Sequence, residues 1–300
     1  MTPEEIFRCE PFAVLDGGLS TALEAAGHNL RDVLWTARLL VDAPDAVVAA
    51  HRSFVEAGAE VLISASYQAS VAGLVAAGCT DSVARGVIRD STDLARRVDP
   101  SVCVAASIGP YGAVLGDGSE YDGRYGISDD ELRRFHSERF ALLTAGRQDL
   151  FAIETIPSFG EAQIIVEALS EYPAARAWLC VTGGDGERTW AGDSLESIGD
   201  LAHASQQVVA VGVNCVGPHL VEPMLERLAS QFDGPLVAYP NHGRAWDGRN
   251  HCWVGDDRMV DLAELVARWH ALGARLIGGC CGYGVDMIRR LVEIRAGMRT

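Results

Sequence analysis

Three hundred residues at 48% hydrophobic are enough to bury a large core, and 41 acidic against 25 basic side chains give a formal charge of -16. That balance disfavours attraction to nucleic-acid phosphates or to anionic membrane surfaces, so neither is an expected partner. No stretch approaches the ~18 consecutive apolar residues of a membrane span, and Met1-Thr2-Pro3-Glu4-Glu5 has no basic region leading into an apolar core, which makes the cytoplasm the expected location.

In chain order, short apolar runs at 12–15, 61–66, 102–108, 151–155, 177–181, 208–213, 236–239 and 275–277 read as strands. Helical patterns fall between them. One starts at Leu19; another is opened by Pro44 and stopped by Gly58. Ser128 with Glu131 forms a capping-box pattern for a helix ending near Gly146, and 161–170, 221–229 and 260–272 read the same way. Eight strands alternating with helices most economically close into a parallel (β/α)8 TIM barrel, taken as a single domain over 1–300. An open doubly wound sheet is the alternative, but no Gly-x-Gly-x-x-Gly follows the first strand. The longest expected loop, 110–127, is rich in Gly, Asp and Tyr and should lie over the barrel mouth, as a lid or as a turn-rich connection. Asp117, Ser119 and Asp122 lack the closing Glu of a calcium loop.

A barrel of this kind builds its active site at the C-terminal strand ends, and the unusual residues fall there. Asp16-Gly17-Gly18 ends the first strand, Ser66-Tyr67-Gln68 the second, Glu154-Thr155 the fourth, Asn214-Cys215 the sixth, Pro240-Asn241 the seventh and Cys280-Cys281 the eighth. Adjacent strand residues face opposite ways, so both thiols of the Cys280-Cys281 pair reach one ion only if the backbone bends, which the flanking Gly279 and Gly282 permit. Cys215 is the best third ligand, and three protein ligands with one open position is the catalytic pattern for zinc. The plain alternative is ordinary core thiols, the expected role of Cys9, Cys79, Cys103 and Cys180. His242, His251 and Cys252 offer a rival site whose spacing fits no strong ligand pattern.

Glu154 lies in an otherwise apolar run, where an unpaired carboxylate costs several kcal/mol, so a cationic partner is expected: an internal salt bridge or a substrate ammonium. Asp16 allows the same two readings, or a turn-capping role. Gly17 and Gly18, ahead of the helix from Leu19, let backbone N–H groups approach a carboxylate. A thiophilic metal, an ammonium acceptor and a carboxylate cradle together suit an amino acid bearing a thiol.

The same residues resemble the zinc-dependent homocysteine S-methyltransferases. The likeness runs through Asp16-Gly17-Gly18-Leu19-Ser20-Thr21, Ser64-Ala65-Ser66-Tyr67-Gln68-Ala69-Ser70, Gly109-Pro110-Tyr111-Gly112 and Asp117-Gly118-Ser119-Glu120-Tyr121. It continues through Glu154-Thr155-Ile156-Pro157, Gly212-Val213-Asn214-Cys215, Tyr239-Pro240-Asn241 and Gly278-Gly279-Cys280-Cys281, covering nearly the whole chain in order. The resemblance implies a (β/α)8 barrel with Zn(2+) held by Cys215, Cys280 and Cys281. It also implies a homocysteine amine at Glu154 and Asp16, and backbone near Gly17 and Gly18 at the carboxylate. Tyr67, Thr155 and Asn214 complete the expected substrate-binding set. The segment Asp117 to Glu120 resembles members using S-methylmethionine or S-adenosylmethionine more than those using betaine. Many members continue the double cysteine with Arg-Thr-Thr-Pro, whereas Gly282-Tyr283-Gly284-Val285 follows here.

The expected reaction passes a methyl group from a sulfonium donor to a zinc-bound homocysteine thiolate, giving methionine, with small molecules as partners. Tyr67, Tyr111, Tyr239, Trp246 and Trp253 are the aromatic faces available to a cationic donor. Two competing readings are a noncatalytic zinc-dependent binder of thiol amino acids and a redox protein using a Cys280-Cys281 disulfide.

Overall fold

Short apolar runs separated by helices leave each strand to pair in parallel with the next, and the pairing closes on itself. The computed structural model describes residues 2–30, 32, 34–247, 252–255 and 260–299. The barrel strands are β1 Ala13–Val14, β2 Val61–Ile63, β3 Cys103–Ile108 and β4 Leu150–Ile156, then β5 Ala177–Val181, β6 Val208–Asn214, β7 Leu236–Tyr239 and β8 Ala274–Ile277. They run parallel in sequence order, and β8 pairs back onto β1. Between β1 and β2 the seam is short: a parallel bridge joins Leu15 to Val61, Glu60 N–H donates to Val14 O at 2.8 Å, and Asp16 N–H donates to Val61 O at 3.0 Å. The expected TIM barrel is therefore the observed architecture.

Alternation along each strand sorts side chains into two cores. Ala13, Leu15, Cys103, Ala105, Leu150, Ala152, Trp178, Ala210, Val237 and Leu276 fill the barrel interior. Their strand neighbours, such as Val14, Val104, Phe151, Leu179 and Ala238, pack outward under the helices. A short N-terminal helix, Pro3–Ile6, adds Ile6 to the inner cluster. Fully burying one such Leu or Ile stabilises the fold by roughly 1.5–3 kcal/mol.

The helix expectations hold with small shifts at the ends. Pro44–Ala57 stops at Gly58, whose φ of 103° is the left-handed conformation that ends helices. Asp129–Thr144 has the full capping box from Ser128 and Glu131, a device worth about 1 kcal/mol. Leu262–Ala271 starts later than expected because Asp261 accepts from Ala263 N–H and Glu264 N–H and caps it there. The second strand ends at Ile63 rather than Ser66, because the Ser64 and Ser66 hydroxyls bond to each other and to Ser107 instead of continuing as strand. A hairpin of Ala245–Asp247 with Cys252–Val254 follows β7 and was not anticipated. Among the described residues no helix is long and apolar enough to cross a membrane.

Candidate metal centre

Strand periodicity decides what reaches the mouth. Leu150 and Ala152 face the barrel interior, so Glu154 tops the same column; Ser107 tops the column of Cys103 and Ala105. The two tops meet, and Ser107 Oγ donates to Glu154 Oε1. Glu154 is buried, and burial above all pushes its carboxyl up to about 7, while hydrogen bonds from Ser107 and Tyr239 pull the other way. Among the described residues no cation pairs with it. The nearest buried cation, Arg139, spends its guanidinium on the carbonyls of Gly109 at 2.7 Å, Ser66 at 2.8 Å and Tyr67 at 2.9 Å. Among the described residues the internal salt bridge is absent.

Asp16, also buried, takes Ile63 N–H on Oδ2 at 2.9 Å. Burial holds its carboxyl well above the usual range, with the charge of Glu154 adding to the rise. Two buried carboxyls, one of which raises the other, favour a cation between them.

The three thiols converge from two strand ends. Cys215, Cys280 and Cys281 place their sulfur atoms within 4.8 Å of one another, with Cys215 and Cys281 buried and Cys280 half-buried. A φ of 51° at Cys215 turns the backbone out of strand geometry, and that turn is fixed by Cys215 N–H donating to Tyr239 O at 3.1 Å and Asn241 Nδ2 donating to Cys215 O at 2.9 Å. The Cys280-Cys281 bend is tied down by Cys280 N–H to Pro240 O at 2.8 Å and His242 N–H to Cys281 O at 3.1 Å. Gly282 has φ 83°, and a Cβ there would lie 2.2 Å from the His242 ring. Hydrogen bonds from Cys280 and Cys281 hold the Cys215 thiol well below its ordinary range, and the two donors are held well above theirs. Tetrahedral zinc with sulfur at ~2.3 Å needs sulfurs roughly 3.8 Å apart, so the donor set fits a thiophilic metal.

A cavity of about 330 Å³ joins the thiols to Asp16 and Glu154. Thr155 and Asn214 brace its floor: Thr155, at φ 59°, donates its N–H to Asn214 Oδ1 at 2.6 Å and receives Asn214 Nδ2 on Oγ1 at 2.7 Å. Tyr67 lines the wall, edge-on to Trp35 at 6.2 Å, and Trp35 also faces the cavity although its sequence context gave no hint. Tyr239 lies at the inner end, where its hydroxyl accepts from Trp178 Nε1 at 3.1 Å. Tyr111 does not line the cavity; its ring packs on Tyr125 and Phe135. The side chains of Trp246, Trp253 and Cys252, with all of His251, lie outside the described residues, and so does the rival metal site built on them. Gly17 and Gly18 owe their identity to packing: a Cβ on Gly17 would lie 2.5 Å from Tyr283 O, and one on Gly18 would lie 2.6 Å from Cys280 O. Gly18 N–H is already donated to Tyr283 O at 2.9 Å, so of the expected anion cradle that group is engaged by the cysteine loop.

The 110–127 loop is structured, with a helix at Tyr111–Leu115 and a 3-10 turn at Ser119–Tyr121. It supplies Gly116, Glu120 and Tyr121 to the cavity, the last two from the stretch Asp117 to Tyr121 through which the family likeness runs. Tyr121 brings its hydroxyl to 3.3 Å from Cys215 Sγ. Glu120 presents a carboxyl pushed up to about 7, chiefly by burial and then by the charge of Cys215. Glu161, on the helix Phe159–Ser170, accepts from Tyr111 N–H at 2.6 Å and Tyr125 hydroxyl at 2.6 Å, and His136 Nε2 lies 2.9 Å from it. Both ends of the loop are thus held by one buried carboxylate.

Residues 13–295 match the family model for homocysteine S-methyltransferase. A homocysteine S-methyltransferase from Escherichia coli (strain K12) is 41% identical over 280 residues, covering 89% of this chain and 90% of the relative. Homocysteine S-methyltransferase 1 of Zea mays is 38% identical over 305 residues, 95% of this chain and 94% of the relative. Among solved structures, the metallated form of the homocysteine methyltransferase MmuM from Escherichia coli superposes with a TM-score of 0.85 at 37% identity, covering 96% of this chain and 97% of that one.

Proposed function

Since the chain belongs to the homocysteine S-methyltransferase family, it is a methyltransferase that converts homocysteine to methionine, and we propose that the methyl comes from a sulfonium donor and that the metal is zinc held by Cys215, Cys280 and Cys281. The observation that carries the proposal is the convergence of three sulfurs and two buried carboxyls on one cavity. Zinc bound there supplies the Lewis acidity that keeps the homocysteine thiol ionised at neutral pH, against an ordinary thiol pKa of about 8.5.

The chain's own groups do the rest. Glu154, ionised and oriented by Ser107, receives the homocysteine ammonium together with Asp16, relieving the repulsion between the two carboxyls. Tyr67 and Trp35 offer aromatic faces to the donor cation, each contact worth ~0.5 to 2 kcal/mol. The homocysteine sulfur attacks the methyl carbon in line, the S–CH3 bond of the donor breaks, and its electron pair leaves with a neutral thioether. The thiol proton has gone to solvent beforehand. Bringing sulfur and methyl to ~3 to 3.5 Å is the main service of the pocket.

The test combines metal analysis of the purified protein with methionine formation from homocysteine, offering S-methylmethionine, S-adenosylmethionine and betaine separately. Zinc near one per chain with turnover on either sulfonium is expected. Homocysteine binding without methionine from any donor would leave a noncatalytic binder, and turnover on betaine alone would overturn the donor assignment.

A further inference from the structure

Of the five acidic side chains on the cavity wall, Glu24 is exposed and Asp32 is paired with Arg38 at 3.1 Å, and the other three differ in how they are satisfied. Asp16 has Ile63 N–H and Glu154 has the Ser107 hydroxyl, but Glu120 Oε2 is shut off from solvent with no hydrogen-bond partner among the described residues. A carboxylate oxygen removed from water and left without a donor is costly unless a ligand completes it. Its placement is built in. Glu120 stands next to Tyr121, whose hydroxyl touches Cys215 Sγ, and a Cβ on Gly112 would lie 2.5 Å from Glu120 N, so only glycine there lets the turn pack down.

Resting on the sulfonium-donor reading above, we propose that Glu120 is a specificity-determining residue whose carboxylate pairs with the sulfonium centre of the methyl donor. With the homocysteine ammonium assigned to Asp16 and Glu154, and Asp32 engaged by Arg38, Glu120 is the carboxyl with an enclosed, unpartnered oxygen left to meet the donor cation. This pairing has a signature that a merely structural role lacks. The positive charge is present on the bound donor, fades as the methyl moves and is gone from the thioether product, so the interaction is strongest in the ground state. It therefore tightens donor binding and releases product, while giving nothing to the chemical step.

The experiment titrates S-methylmethionine and, separately, methionine into the zinc-loaded protein by calorimetry, for the parent, Glu120→Gln and Glu120→Asp. Methionine carries the same ammonium and carboxylate without the sulfonium. The expected result is S-methylmethionine affinity roughly ten- to a hundredfold weaker in E120Q and intermediate in E120D, with methionine affinity and zinc content unchanged. In turnover, donor KM should rise by the same factor and kcat should hold or increase. Equal loss of both ligands would place Glu120 at the ammonium, and no loss of either would make it a bystander; each overturns the proposal. The binding arm does not depend on turnover, so a parent protein that binds the sulfonium without methylating homocysteine would sink the proposed function and still decide the role of Glu120.

Discussion

The two walls of the cavity are held by different means. On the side of β6, β7 and β8, the thiols are fixed by the barrel itself: Cys215 through Tyr239 O and Asn241, Cys280 through Pro240 O, Cys281 through His242 N–H. On the opposite side Glu120 and Tyr121 ride on a loop outside the sheet, and Glu161 ties its two ends to a helix. The first wall is distributed over many backbone bonds that also hold the barrel together; the second hangs on a few side-chain bonds. The proposed metal and acceptor sites therefore belong to the stable part of the fold, and the proposed donor site to the part that mutation can loosen without unfolding anything.

The largest effect should come from the rigid wall. Cys281→Ala removes one of three sulfurs, and zinc content should fall with turnover, to less than ~1% of the parent, with little change in the folded state. Retained zinc and activity would remove Cys281 from the ligand set. Next is Glu154→Gln, which keeps an acceptor for Ser107 but loses the charge; homocysteine KM should rise by about 10²-fold with donor KM unchanged. The same substitution should stabilise the metal-free protein. The folded carboxyl titrates at about 7 against 4.5 for the free group, so the folded state holds its proton more tightly. Stability is then full below pH ~4.5, falls as pH rises through about 7, and the deficit above that is roughly 3 kcal/mol. Melting curves of metal-free parent and variant should coincide at low pH and separate by pH 8, the variant higher; parallel curves would show that Glu154 is not strained by burial.

The same division governs what could be read from the residues alone. Short apolar runs mark the strands, and barrel geometry sends functional groups to their C-terminal ends, so Cys215, Cys280, Cys281, Asp16 and Glu154 could be picked out before any coordinates. The loop wall was not legible in this way. A loop has no period to say which side chain faces inward, so the likeness through Asp117 to Tyr121 marks the stretch without saying that Glu120 meets the cavity; the Ser119–Tyr121 turn, which Asp117 braces by accepting from Ser119 N–H at 3.0 Å, aims it there. Gly17 and Gly18 mark a second limit. Their sequence context suggests an anion cradle, but which atom comes close is a tertiary fact, and here it is the carbonyl of the cysteine loop.

The smallest expected effect is also the sharpest test of the contrast between the walls. Glu161→Gln keeps one acceptor oxygen but cannot serve Tyr111 N–H, the Tyr125 hydroxyl and His136 together, so one end of the loop should work free. Donor KM should rise about five- to tenfold, because Glu120 and Tyr121 lose their fixed positions, while homocysteine KM and zinc content stay within about twofold. Arg124, well exposed in the same loop, gives an independent readout: trypsin should cleave after it faster in the variant than in the parent. If homocysteine KM rose and zinc content fell along with the loss of donor binding, the two walls would be one cooperative unit, and the separation of donor from acceptor recognition drawn from their different anchoring would be lost.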